Sequence, residues 1–227
     1  VILEGLEVKK FSFVTKPNTF SESVLEQDSK KVVGNRIEAL FSPSGWLNTL
    51  TIDGSRFPLR TSARFMMHTD YPHDFDAWEI DYSVNQTGKP AFESMQLAIA
   101  ESGPLITSIS GKTHFGKGSY LSVTYTIQKD IPFLFVSADI DWQEENRLLR
   151  YDIPIDYRGM TARFGTPFGS IERVISPGSP QSESQWEQSA SRWVAVTDSA
   201  GEGISIISAA HYGFSVRQGL LSISLLR

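Results

Sequence analysis

The chain has 227 residues, 21 Lys and Arg against 26 Asp and Glu, and a formal charge of −5. This acidity argues against nucleic acid, which demands a dense basic footprint, and no apolar run reaches the roughly 20 residues of a membrane-spanning helix. Cysteine is absent, which excludes disulfide frameworks, thiol nucleophiles and thiolate metal sites.

From the N-terminus onward the dominant period is two. Phe11-Ser12-Phe13-Val14-Thr15 has the β-branched and aromatic make-up of a strand, and residues 1–30 are expected to form a leading hairpin. The polar stretch 21–31 would separate it from a main sandwich over 31–227. A strand pair is expected at Arg36-Ile37-Glu38-Ala39-Leu40-Phe41 and from Trp46 to Ile52, turning at Pro43-Ser44-Gly45. Residues 91–100 fit a short helix or a strand. Ser122-Val123-Thr124-Tyr125-Thr126-Ile127 reads as a strand. So does 133–142, whose Leu134, Val136, Ala138, Ile140 and Trp142 are expected to form a core face throughout. Residues 176–191 are rich in Ser, Pro and Gln and read as a long surface loop around Trp186. Gly203-Ile204-Ser205-Ile206-Ile207 and the alternation from Leu221 to Leu225 close the series. Many short strands, frequent turns and no βαβ rhythm mean an all-β sandwich or barrel. The chain ends on an apolar, strand-like stretch, which reads as a cut within a β region.

Chemistry-bearing clusters are few. His68-Thr69-Asp70 through Asp81 packs two imidazoles and five carboxylates into fourteen residues, but at no helical metal-ligand spacing, so a polar loop with aromatic anchors is expected. No Gly-x-Ser-x-Gly elbow is present. Asp139 and Asp141 share a strand face at a separation compatible with glycosidase carboxylates, yet a solvated face explains them as well. Trp78 in its acidic loop and Trp193 beside Arg192 are the tryptophans best suited to line a sugar site, where flat rings pack on a ligand; Trp142 reads as core.

Seven segments, in order, carry a resemblance. They are Asp76-Ala77-Trp78-Glu79-Ile80-Asp81, Glu101-Ser102-Gly103-Pro104-Leu105, Asp139-Ile140-Asp141-Trp142 with Arg147-Leu148-Leu149-Arg150, and Phe168-Gly169-Ser170-Ile171-Glu172-Arg173. Arg192-Trp193-Val194-Ala195-Val196, Gly203-Ile204-Ser205 through His211-Tyr212-Gly213-Phe214-Ser215-Val216, and Ile223-Ser224-Leu225-Leu226-Arg227 complete the set. Together they resemble the C-terminal β region of class II α-mannosidases, glycoside hydrolase family 38. The resemblance implies a large antiparallel super-sandwich of the galactose-mutarotase-like kind. It also implies a retaining parent enzyme whose zinc ligands and aspartate nucleophile belong to an N-terminal β/α domain with no counterpart here. His68-Thr69-Asp70 copies the letters of that ligand pair by coincidence.

On this reading the chain braces the catalytic domain, carries no catalytic residue and binds no metal of its own. Its partners are that β/α domain and an α-mannoside or other glycan, with neither nucleic acid nor membrane among them. Asp76, Trp78, Arg192, Trp193, His211 and Tyr212 are the expected substrate-side residues. The alternative is a free-standing carbohydrate-binding module resting on Trp78 or Trp193. A sugar epimerase of the same fold would need a His facing a Glu, with His114 and His211 the histidines in strand-like contexts.

Overall fold

The computed structural model describes residues 27–57, 59–75, 79–156, 161–175, 178–180, 184–198, 201, 203–217 and 219–227. The expected hairpin over 1–30 lies almost wholly outside the described residues.

The strands follow in chain order. β1 (Gln27–Asp28), β2 (Lys31–Val33), β3 (Ile37–Phe41), β4 (Leu47–Ile52) and β5 (Ser55–Arg56) form an antiparallel meander. β6 (Arg64–Thr69) precedes a single 3₁₀ turn, Tyr82–Gln86, and β7 (Lys89–Pro90). β8 (Leu97–Ser102), β9 (Ile106–Phe115), β10 (Ser119–Gln128) and β11 (Leu134–Asp141) make a second sheet ordered β11-β10-β9-β8. The remaining strands are β12 (Arg147–Pro154), β13 (Thr161–Thr166), β14 (Gly169–Val174) and β15 (Gln188–Ser189), then β16 (Trp193–Thr197), β17 (Gly203–Ile207), β18 (Gly213–Arg217) and β19 (Leu220–Leu226). They complete a six-stranded sheet, β15-β18-β19-β12-β6-β7, and a four-stranded one, β14-β13-β16-β17. The fold is thus an all-β assembly of antiparallel sheets, as the period-two pattern requires.

One apolar cluster joins them. β10 alternates strictly, with Leu121, Val123, Tyr125 and Ile127 inward. Tyr125 meets Phe41 of β3 with ring centroids 4.6 Å apart, and Phe65 of β6 meets Tyr151 of β12 at 4.8 Å. Trp46 stacks on Phe92 at 4.5 Å. Such pairs add about 0.5–1.5 kcal/mol each beyond the area they bury. Desolvation raises the phenol pKa of both Tyr125 and Tyr151, so neither ionises in the core. Ala162, Phe164, Val194 and Val196 tie the four-stranded sheet into the same cluster.

Two expectations need correction. The β11 face is not a core face over its length: Leu134, Ile140 and Trp142 pack on the cluster, whereas Val136 and Ala138 are exposed. Among the described residues β11 is an edge strand, and the cluster reaches its two ends and not its middle. The strand histidines are His114 in β9 and His68, buried in β6, whereas His211 lies in the turn between β17 and β18.

β12 positions the polar chemistry. It is buried on both faces: Leu149, Tyr151 and Ile153 join the apolar cluster, and alternation turns Leu148, Arg150 and Asp152 the other way. Register places His68 opposite Leu148, Ser224 opposite Arg150, and Ser222 opposite Asp152, with Ser215 opposite Ser222. The outer face of the six-stranded sheet therefore carries a buried polar layer.

Candidate functional site

Two places on the molecule gather functional side chains. The first is the junction between β15–β18 and β16–β17. The Ala190 N–H donates to Tyr212 O at 2.7 Å, and the Ser208 N–H donates to Arg192 O at 2.7 Å. These two bonds bring Arg192, Trp193, His211 and Tyr212 together from segments about twenty residues apart. Arg192 sits at φ 68°, a left-handed conformation that costs a non-glycine residue on the order of 1–3 kcal/mol unless its surroundings enforce it. Trp193 lies over Gly165, where an added Cβ would come 2.5 Å from the indole Nε1, so only glycine lets the ring settle there. His211 Nδ1 is 2.9 Å from Ser208 Oγ, and the same hydroxyl accepts the His211 N–H at 3.0 Å. That turn fixes the imidazole and commits Ser208 to the backbone. Tyr212 is exposed.

The second place is a cleft of about 490 Å³ lined by Phe75, Glu79, Ile80, Ser184, Trp186 and Glu187. Its floor is the polar layer. Arg150, 3% exposed, donates from Nη2 to Glu187, from Nη1 to Asn85 Oδ1 at 3.2 Å and from Nε to Ser224 Oγ at 3.4 Å. Ser224 Oγ donates to the other Glu187 oxygen at 2.6 Å. The Arg150 guanidinium also lies 5.0 Å from the Trp186 ring centroid, and Tyr82 meets that indole edge-on at 6.0 Å. Ser215 Oγ donates to Trp186 O at 2.7 Å. The opposite wall is anchored by Arg227, whose guanidinium bridges the buried Asp70 carboxylate and the Glu79 carbonyl.

Beside the floor lies a second buried pair. His68 Nδ1 is 2.9 Å from Val84 O, which identifies the tautomer that donates from Nδ1. His68 Nε2 and Asp152 Oδ1 have no hydrogen-bond partner among the described residues. Burial pushes the His68 pKa down and the Asp152 pKa up, favouring the neutral form of each.

Among the described residues no three His, Asp or Glu side chains gather into a metal-holding group. His68 and Asp70 are committed to Val84 and Arg227 instead.

Of the six expected site residues, four meet at the junction. Asp76 and Trp78 lie outside the described residues, although their sequence neighbours Phe75 and Glu79 line the cleft. Trp186 and Glu187 were not among the expected site residues. The available signal was a lone tryptophan beside a carboxylate in an otherwise small, polar segment.

Comparison with known proteins agrees with the architecture. The sequence model described as "Glycosyl hydrolases family 38 C-terminal domain" matches residues 33–227. Human "Alpha-mannosidase 2C1" is 28% identical over 211 residues, covering 90% of this chain and 20% of the relative. Yeast "Alpha-mannosidase" is 25% identical over 171 residues, covering 72% of this chain and 16% of the relative. The crystal structure of an α-mannosidase from Enterococcus faecalis V583 superposes with a TM-score of 0.76 at 17% identity, over 92% of this chain and 27% of that one. The chain thus spans about 20% of the length of the first curated relatives it matches.

Proposed function

Since the chain belongs to the C-terminal domains of glycosyl hydrolase family 38, we propose that it works as the β-sandwich portion of a larger α-mannoside hydrolase. In this reading catalysis is retaining and zinc-assisted, and both nucleophile and metal reside in a separate β/α domain. The present chain braces that domain and walls one side of the sugar pocket.

The observation that carries the pocket-wall reading is the junction. Arg192, Trp193, His211 and Tyr212 are distributed over two sequence segments, yet two backbone hydrogen bonds bring them to one end of the sheets. An aromatic face, a fixed imidazole, a phenol and a guanidinium are the groups that grip hydroxylated rings. Arg192 holds a left-handed backbone there, and such conformations concentrate at functional sites. Asp76 and Trp78 belong to the same proposal through the phrase Asp76-Ala77-Trp78-Glu79-Ile80-Asp81, which carries the family resemblance.

The test is an assay of the 227-residue chain on an aryl α-mannoside with added Zn²⁺, beside the complete polypeptide. The chain alone is expected to give no turnover. In the complete polypeptide, Trp193→Ala is expected to raise KM about tenfold, equivalent to ~1.4 kcal/mol of substrate binding. Turnover by the isolated chain would refute the assignment of catalysis elsewhere, and an unchanged KM would refute the wall.

A further inference from the structure

The described lining of the cleft between Trp186 and Phe75 shares no residue with the junction, which lies beside it. The cleft's volume, about 490 Å³, lies in the range of small-molecule sites, roughly 300–1,000 Å³. We infer that this cleft is a second carbohydrate site, which binds a neutral pyranose against Trp186 with Glu79 as hydroxyl acceptor.

Three features support it. First, Trp186 is held in place before any ligand arrives. A guanidinium lies over the ring at 5.0 Å, Tyr82 abuts its edge at 6.0 Å, and Ser215 fixes its carbonyl at 2.7 Å. Such pre-organisation lowers the ordering cost of binding. Tyr82 is itself fixed by Arg217, which donates to its hydroxyl at 2.6 Å and lies 5.1 Å from its ring centroid.

Second, the opposite wall presents Phe75 at 65% exposure beside Ile80. Three apolar side chains and two carboxylates therefore share one concavity. Apolar C–H faces with hydroxyls around their rim are the chemistry of a pyranose, and carboxylates are strong acceptors for those hydroxyls.

Third, the charges discriminate. Glu187 is neutralised by Arg150, and Ser224 donates a hydrogen bond to its other oxygen. Glu79 uses its side chain for the Asp74 N–H at 3.3 Å, which leaves acceptor capacity on the carboxylate. Among the described residues the lining holds no cationic side chain, so an anionic sugar would meet the negative charge of Glu79.

The experiment is a saturation-transfer NMR titration of the 227-residue chain with methyl α-D-mannopyranoside. Tetramethylammonium serves as the competing cationic probe. Saturable mannoside binding is expected, weakened at least about tenfold by Trp186→Ala and by Glu79→Gln, and changed less than about twofold by Phe168→Ala, which removes a fully exposed ring outside both sites. Trp186→Phe should retain part of the affinity, and Glu79→Gln should melt with the parent, because among the described residues its side-chain hydrogen bond is to the Asp74 N–H, which an amide oxygen also accepts. Absence of mannoside binding, equal binding by Trp186→Ala, or preference for tetramethylammonium would each overturn the inference. Loss only in Trp193→Ala would overturn it too, while leaving the pocket-wall reading standing.

Discussion

Removing Glu187 tests the polar layer directly. Arg150 is 3% exposed, and its side-chain hydrogen bonds run to Glu187, Asn85 and Ser224. In Glu187→Ala the guanidinium loses its counter-charge but stays buried beneath Trp186, and Ser224 loses its acceptor. Breaking a buried pair from one side costs about 3–5 kcal/mol, because an uncompensated charge remains. For a chain of this size about 2–4 °C of melting temperature goes with each kcal/mol, so the loss should be on the order of 10 °C. Arg150→Met should cost a similar amount by orphaning Glu187. The double variant Arg150→Met/Glu187→Ala should recover much of the loss, since removing both members of a buried pair leaves no uncompensated charge. Differential scanning calorimetry on the four proteins closes the cycle and isolates the coupling. A Glu187→Ala loss under about 1 kcal/mol, or additive losses in the double variant, would refute the pair as the anchor of the cleft floor.

Two further outcomes follow from the same geometry. His68 has its pKa below the ordinary value near 6.5, chiefly through burial, so the unfolded chain takes up the proton first as pH falls. Its contribution is complete above about pH 6.5 and is lost as pH drops through the folded pKa. His68→Gln, which keeps a donor for Val84 O, should flatten the decline in melting temperature between about pH 7 and pH 5, and an unaltered slope would exclude His68 as its source. At the junction, Gly165→Ala places a Cβ 2.5 Å from Trp193 Nε1 and 2.7 Å from Ser191 O. It should cost about 1–3 kcal/mol and shift the indole emission, whereas Gly169→Ala, with nothing within 4 Å, should change neither.

The sheets were legible because burial of one face imprints a period of two, and β10 shows it residue by residue. The same rule misled at β11, where alternation reads as a core face although an edge position leaves Val136 and Ala138 exposed. Strand order, not strand pattern, decides that burial, and pairing over long separations leaves no local trace. The candidate site divides in the same way. Arg192, Trp193, His211 and Tyr212 stand in phrases that carry the family resemblance, so sequence pointed to them. Trp186 sits in a segment with neither period nor phrase, and its partner Arg150 is 36 positions earlier in the chain.

β19 shows why the polar layer was hidden and what it accomplishes. Its Leu/Ile–Ser alternation is the usual mark of a strand with one wet face. Here Ser222 is buried opposite Asp152, and Ser224 bonds both Arg150 and Glu187. Short hydroxyls bond neighbours on either side without filling the space above the sheet, so the 3₁₀ turn and the Trp186 segment can settle directly on it. An apolar outer face would bind that cover as strongly but would not orient it, because apolar contact is non-directional. The serines, Arg150 and Glu187 thus turn a sheet face into a positioned support. The residues beside Trp186 can thereby hold its ring in one orientation, which the proposed ligand binding at the cleft requires.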